Sequence, residues 1–199
     1  QTPDYYIGWV DSGGIKRLTP REIERWKKSD RFYYNHFSGF VYDNPKLKGS
    51  TISHLVLGDL FEAESAVRKA LKIKTPDGRI GYIPKNECIS FSDWMNTQPK
   101  IESVLVSAGQ MKGFPYLWGG TSTKAMDCSG LVKMAWFSQG VILSRDASQQ
   151  AKYGESIDFT NLNNLQPGDL LFFGSTVQKI THVAIYTGKG DFIHASGKV

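Results

Sequence analysis

Three side chains in this sequence have the types and the spacing for nucleophilic chemistry: Cys128 in "AMDCSGLV", His182 in "ITHVAIYTG" and His194 in "FIHASG". Leu131, Val132, Ala135 and Trp136 recur after the cysteine at helical spacing, so a buried helix is expected to start at or just after Cys128. A sulfur at that point lies near unpaired backbone N–H groups and the positive end of the helix dipole, and both favour its thiolate. A free thiol, with a pKa of about 8.5, is mostly protonated at neutral pH; a helix N-terminus and a neighbouring histidine lower it by several units. The same N–H groups can hold the oxyanion that forms when a thiolate attacks an amide. Strand alternation puts His182, Ala184 and Tyr186 on one face, and His194 shares a face with Phe192 on the next strand. One imidazole can then deprotonate the thiol while the second fixes its tautomer. The competing readings are a buried cysteine that merely fills space, and half-buried histidines with ordinary partners. A zinc site on the same three residues is a further alternative, but no H-E-x-x-H or C-x-x-C spacing supports it, so neither metal nor cofactor is expected.

These residues need elements to position them. The chain has 199 residues, 40% hydrophobic and 22% charged, enough for one or two globular domains. No apolar run is long enough to span a membrane, and "QTPDYYIGWV" has neither a basic nor an apolar leader region. A start without methionine and a stop at Val199, just after the strand-like "DFIHASGKV", read as a piece of something longer. The net charge of +5 favours anionic partners such as nucleic acid, acidic membrane or an acidic wall polymer. Basic residues are densest in "KRLTPREIERWKKSDR", where the T-x-x-E box Thr19–Glu22 with Pro20 predicts a short helix from Pro20 to about Lys28. Glu22 and Glu24 interrupt its basic stripe, which argues for a linker helix and against a nucleic-acid reader. Cys88 and Cys128 can form one disulfide at most; Cys88, His36 and His54 read as structural or surface residues.

From Arg31 to about Phe91 the pattern is one of short strands. Leu71 and Ile73 point one way, Lys72 and Lys74 the other, and Thr75-Pro76-Asp77-Gly78 turns into the next strand, Arg79 to Ile83. That reads as a small β-barrel. Ile7-Gly8-Trp9-Val10 repeats the form of Ile80-Gly81-Tyr82-Ile83, and both resemble the closing strand of bacterial Src-homology-3-type barrels. Residues 5–11 are therefore expected to be the tail of a first barrel. After Pro99, Ile101, Leu105, Ala108 and Met111 predict an amphipathic helix from Ile101 to Lys112; helices followed by the strands "LLFF", "THVAIYTG" and "DFIHAS" then define an α+β domain. The expected organisation is a barrel tail and linker helix over 1–30, a barrel over 31–98 and an α+β domain over 99–199.

"YLWGGTSTKAMDCSGLV", "LQPGDLLFFG", "ITHVAIYTG" and "FIHASG" together resemble the NlpC family of papain-like cysteine peptidases, over about Ile101 to Val199. With barrels in front, the pattern is most similar to γ-D-glutamyl-L-diamino acid endopeptidases, the dipeptidyl-peptidase VI group. The resemblance implies Cys128 as nucleophile, His182 as base and His194 as orienting residue. It also implies Tyr116, of "Y-x-W-G-G", facing the scissile bond or oxyanion, although as a bare aromatic it would be core. Asp127 and Ser129 flank the nucleophile in a segment that holds the α-carboxylate of a γ-linked D-glutamate, an anion suited to N–H groups and a hydroxyl at a helix start. Asp146 in "SRDASQQ" would pair with the ammonium of an N-terminal L-alanine, or cap a helix over "ASQQAKYGE", or do both. Ala147 stands where relatives often carry serine, with Ser148 one position later. Tyr6, beside "IGWV", is a candidate aromatic contact to the substrate amine, against the plainer role of barrel core.

The implied activity is hydrolysis of the γ-D-glutamyl bond to diaminopimelate or lysine in peptidoglycan stem peptides with a free N-terminal L-Ala. The implied partners are peptidoglycan-derived peptides, with no nucleic acid and no membrane span, and the implied location is the bacterial cell envelope. Two alternatives stay open: an inactive wall-peptide-binding module, and an amidase acting on the glycan–peptide link.

Overall fold

A computed structural model describes residues 1–158 and 160–197; Phe159, Lys198 and Val199, all within the expected C-terminal domain, lie outside the described residues. The chain forms two compact units, one of Gly8–Asn96 and one of Gln1–Ile7 with Thr97–Val199.

The first unit opens with α1 (Pro20–Lys28), whose capping box is present as the sequence predicts: the Thr19 N–H donates to Glu22 Oε2 at 2.7 Å and the Glu22 N–H to Thr19 Oγ1 at 3.3 Å. The helix is followed by β1 (Arg31–Tyr34), β2 (Ser38–Tyr42), β3 (Thr51–Val56), β4 (Leu60–Val67), β5 (Ala70–Lys74), β6 (Ile80–Pro84) and β7 (Cys88–Ser90). These strands make one antiparallel sheet in the order β3-β2-β6-β5-β4-β1-β7. Alternation works as read: Leu71 and Ile73 enter a core with Tyr34, Val41, Leu55, Phe61 and Ile83, while Lys74 is exposed. Gly81 must be glycine because a Cβ there would lie 2.3 Å from Val41 Cγ1. The short α2 (Phe91–Met95) carries Trp94 into the sheet, stacked on Tyr33 at 5.1 Å and on Phe91 at 5.6 Å. The Arg31 guanidinium lies between Phe91 (4.3 Å) and Trp26 of α1 (4.6 Å), so cation–π contacts continue the stack to the helix.

Residues 5–11 do not form the expected strand. Tyr5 sits in the left-handed region at φ 63°, which interrupts an extended run, and Ile7, Trp9 and Val10 are exposed. Alternation alone makes no strand without a neighbour to pair its N–H and C=O groups. Residues 1–7 instead accompany the second unit, where Asp4 forms a nearly buried ion pair with Lys133 at 2.5 Å.

The second unit contains α3 (Ile101–Gln110), the hairpin β8 (Thr121–Ser122) and β9 (Ala125–Met126), α4 (Cys128–Phe137), α5 (Ala147–Gln150), and the antiparallel strands β10 (Leu170–Gly174), β11 (Ile180–Gly188) and β12 (Asp191–Ile193), ordered β10-β11-β12. Val104 and Ala108 of α3, Leu131, Val132 and Ala135 of α4, and Val183, Ala184 and Ile185 of β11 are buried, and α4 packs on both α3 and β11. The helix predicted from 101 ends two residues early, at Gln110, and α5 is one turn where "ASQQAKYGE" allowed a longer helix. Replacing Trp94 with Ala removes the centre of the aromatic stack and is expected to destabilise the first unit by about 3–5 kcal/mol, read as a lower denaturant midpoint.

Candidate active site

The site is built on the first turn of α4. Asp127 is its N-cap, and the carboxylate Oδ1 accepts from the Gly130 N–H at 2.8 Å. The cap leaves the N–H groups of Cys128 and Ser129 without a partner among the described residues. Cys128 is thus the first helical residue, 9% exposed, with a free thiol beside two unpaired donors. The turn can form only because Gly130 lies against the loop before it: a Cβ on Gly130 would lie 2.2 Å from the Gly120 carbonyl oxygen. The "WGG" and "CSG" glycines therefore meet face to face.

Asp127 has more partners than a cap requires. Its Oδ2 accepts from the Gly119 N–H at 2.8 Å, and Arg145 donates through Nη2 to Oδ2 at 2.8 Å and through Nη1 to Oδ1 at 3.2 Å. Burial alone would raise the Asp127 pKa, but Arg145 and the Gly130 and Gly119 N–H groups hold it below the usual carboxylate value. Ser129 is buried, donates to Asp127 Oδ1 at 3.2 Å and accepts from Arg145 Nη1 at 2.9 Å. The Ser129 carbonyl accepts from Gln150 Nε2 at 3.2 Å. The Asp127 and Ser129 side chains are engaged inward, and the Cys128 and Ser129 N–H groups are the donors left at the segment expected to hold the substrate's carboxylate.

Arg145 and Gln150 were not singled out in the sequence. Their partners at the helix head and the glycine loop lie 16 to 25 residues away, beyond the reach of any local pattern. The available signal was chemical: a carboxylate directly before a nucleophile needs a countercharge, and "SRD" supplies one.

Tyr116 is bridged to Met126 and so stands beside the head of α4. Burial first, then the nearby Cys128 and Asp127, raise its phenol above the ordinary value, so it remains a protonated donor at neutral pH. His182 Nε2 and His194 Nδ1 are 2.9 Å apart, with the rings nearly perpendicular. If His182 donates from Nε2, its Nδ1 is left as the base. Burial, and then the proximity of His194, lower the His182 pKa below 6.5. Phe173, opposite His182 in the β10–β11 register, and Phe192 border the two rings. α4 packs directly on β11, bringing together the elements that carry Cys128 and His182. No hydrogen bond joins the thiol to His182 among the described residues; such contacts commonly tighten only around substrate.

Asp146 is the half-buried N-cap of α5 and forms a capping box with Gln149: its side chain accepts from the Gln149 N–H, and Gln149 Oε1 accepts from the Asp146 N–H at 3.1 Å, so the capping role read from the sequence is present. Ser148 is exposed on the same turn. Tyr6 is half-buried in the 1–7 segment, with its carbonyl accepting from the Thr2 N–H, and its hydroxyl contacts none of the site residues. Cys88 is a second free thiol and not a disulfide partner; burial, with Glu87 next, pushes it up to about 12, and it donates to the Pro84 carbonyl at 3.3 Å. His54 stacks on Phe40 at 4.7 Å and His36 lies near Tyr34, both far in sequence from the thiol.

A mixed α/β unit with a cysteine at a helix mouth and a histidine pair on the adjoining sheet defines the class, and residues 113–199 match the model of the NlpC/P60 family. Residues 113–199 are accordingly an NlpC/P60 family domain. Among curated proteins, the chain is 29% identical to γ-D-glutamyl-L-lysine dipeptidyl-peptidase of Bacillus cereus over 196 residues, covering 96% of this chain and 56% of that protein. It is 34% identical to dipeptidyl-peptidase 6 of Lysinibacillus sphaericus over 173 residues, covering 78% and 57%. The chain spans little more than half the length of these relatives. The solved structure of an NlpC/P60 family protein from Bacillus cereus superposes with a TM-score of 0.74 over 87% of this chain and 57% of that one, at 24% identity, a likeness of fold.

Gly130→Ala is expected to push the start of α4 from Gly120 and cost about 1–3 kcal/mol, measured by denaturant titration. Gly109→Ala, where a Cβ meets open space near the end of α3, is the control and should be neutral or slightly stabilising.

Proposed function

We propose that this chain is a cysteine peptidase that cuts the γ-D-glutamyl bond to an L-diamino acid in peptidoglycan stem peptides bearing a free N-terminal L-alanine. The observation that carries the reading is the 2.9 Å contact to His194 made by His182, which lies on the strand against which the Cys128 helix packs. The names of the relatives agree with it, as dipeptidyl-peptidases, one of them acting at γ-D-glutamyl-L-lysine.

In this mechanism His182 Nδ1 accepts the thiol proton and the Cys128 thiolate attacks the γ-carbonyl. The oxyanion is held by the Cys128 and Ser129 N–H groups, with Tyr116 as a third donor. His182 then gives its proton to the leaving amine, a thioester remains on Cys128, and water activated by the same imidazole releases the acid. His194 holds the His182 ring by accepting its Nε2–H. The Asp146 carboxylate, besides capping α5, takes the substrate ammonium, which limits cleavage to unblocked ends; Ser148 and Tyr6 complete the amine end of the site. Residues 31–98 form a bacterial Src-homology-3-like barrel, a reading supported by the seven-stranded antiparallel sheet and its small core. Residues 99–199 are the papain-like peptidase domain, and the protein works in the cell envelope.

Mass spectrometry of products from L-Ala-γ-D-Glu-L-Lys tests the reading. The chain should release L-Ala-γ-D-Glu and Cys128→Ala should release none, whereas unchanged turnover by that variant eliminates the mechanism. The N-acetylated tripeptide should be a far poorer substrate, and Asp146→Asn should narrow the difference between the two. The lowered pKa of His182 keeps its base form available to lower pH, so the acid limb of kcat/KM should have its midpoint below 6.5. His194→Gln removes the second of the two causes that lower the His182 pKa, so in that variant the midpoint should move upward.

A further inference from the structure

We propose that Arg145 is a positioning residue for the nucleophile: it offsets the carboxylate that caps the nucleophile's own helix, so that Cys128 ionises beside Asp127. The inference rests on Cys128 being the nucleophile. The helix head presents a conflict. An N-cap carboxylate organises the first turn, yet an anion adjacent to the thiol opposes the thiolate, and a like charge at such distances raises a pKa by about one to three units.

The geometry resolves the conflict with one side chain. Arg145 binds Asp127 as a fork, Nη1 to Oδ1 at 3.2 Å and Nη2 to Oδ2 at 2.8 Å. Its remaining terminal donors go to Ser129 Oγ at 2.9 Å and the Gly120 carbonyl at 3.2 Å. All of these acceptors belong to the helix head or to the glycine loop packed on it, and the pair is nearly buried. With its terminal N–H groups so occupied, Arg145 is not a free clamp for a substrate carboxylate. A lysine, one nitrogen on a flexible stem, cannot reproduce the fork.

The other charged or titratable groups around α4 do not perform this task. Asp146, beside Arg145, is itself an anion. Tyr186 on β11 and Tyr116 beside β9 are phenols, and His182 becomes charged only by taking the thiol's own proton, so none of them offsets the Asp127 carboxylate beforehand. His194 lies behind His182, and α3 offers only the exposed Glu102. β8, β9 and α5 carry no titratable side chain, and Lys133 on α4 is paired with Asp4.

The test reads the thiol without substrate, so its outcome is separate from that of the tripeptide assay. Iodoacetamide alkylation of Cys128 is followed against pH in the whole chain, with peptide mapping to distinguish Cys88. Arg145→Gln should move the midpoint up by about one to two pH units. Adding Asp127→Asn to that variant, which removes the uncompensated anion while keeping a good cap, should return the midpoint close to the parent value. A profile for Arg145→Gln that overlays the parent, or no return on adding Asp127→Asn, overturns the proposal. Should Arg145→Gln lose its helical circular dichroism, Asp127→Asn alone decides the matter. It leaves the guanidinium uncompensated, so the midpoint should fall below that of the parent, and an unchanged or raised midpoint overturns the proposal.

Discussion

The site depends on one carboxylate. Asp127 closes the first turn of α4 through the Gly130 N–H, draws in the glycine loop through the Gly119 N–H, and is tied by Arg145 to the segment that leads into α5. Three stretches, at Gly119, Gly130 and Arg145, converge on its two oxygens. Each is also a stretch that carries chemistry: the loop after Tyr116, the helix that starts with Cys128, and the turn that presents Asp146. Removing one member of a buried ion pair commonly costs about 3–5 kcal/mol, because it leaves the other charge unpaired in a poor solvent. Architecture and reactivity are thus coupled through the same few hydrogen bonds.

The histidine pair answers to a different constraint. β11 lies between β10 and β12, so the His182 backbone is held by strand pairing while its neighbours Val183, Ala184 and Ile185 are buried. His194 lies just beyond β12, exposed, and is oriented by the 2.9 Å contact and by Phe192. One ring is fixed by the core and the other by the first ring. Partial burial lowers the His182 pKa, which suits the proposed role of accepting a proton and returning it.

Much of this was legible in the residues. The apolar spacing after Cys128 locates α4, the T-x-x-E box locates α1, and period-two alternation sorts Leu71 and Ile73 from Lys74, because each pattern is local and acts through a few neighbouring backbone groups. What was not legible depends on distant partners. Arg145 and Gln150 gain their meaning from atoms on another helix. Asp127 and Ser129 are drawn inward by that arginine, although they stand where a ligand contact was expected. Residues 5–11 have the composition of a strand but pair with no strand among the described residues, and Tyr5 is left-handed.

The central claim is that Cys128 attacks the γ-carbonyl and holds the acyl group as a thioester. Turnover of L-Ala-γ-D-Glu-L-Lys stopped by acid and analysed by peptide mapping tests it directly. The account requires an L-Ala-γ-D-glutamyl mass adduct on the peptide that contains Cys128, labile to hydroxylamine. Continued product release with that peptide unmodified at every quench time, or with the adduct on Cys88, would contradict it.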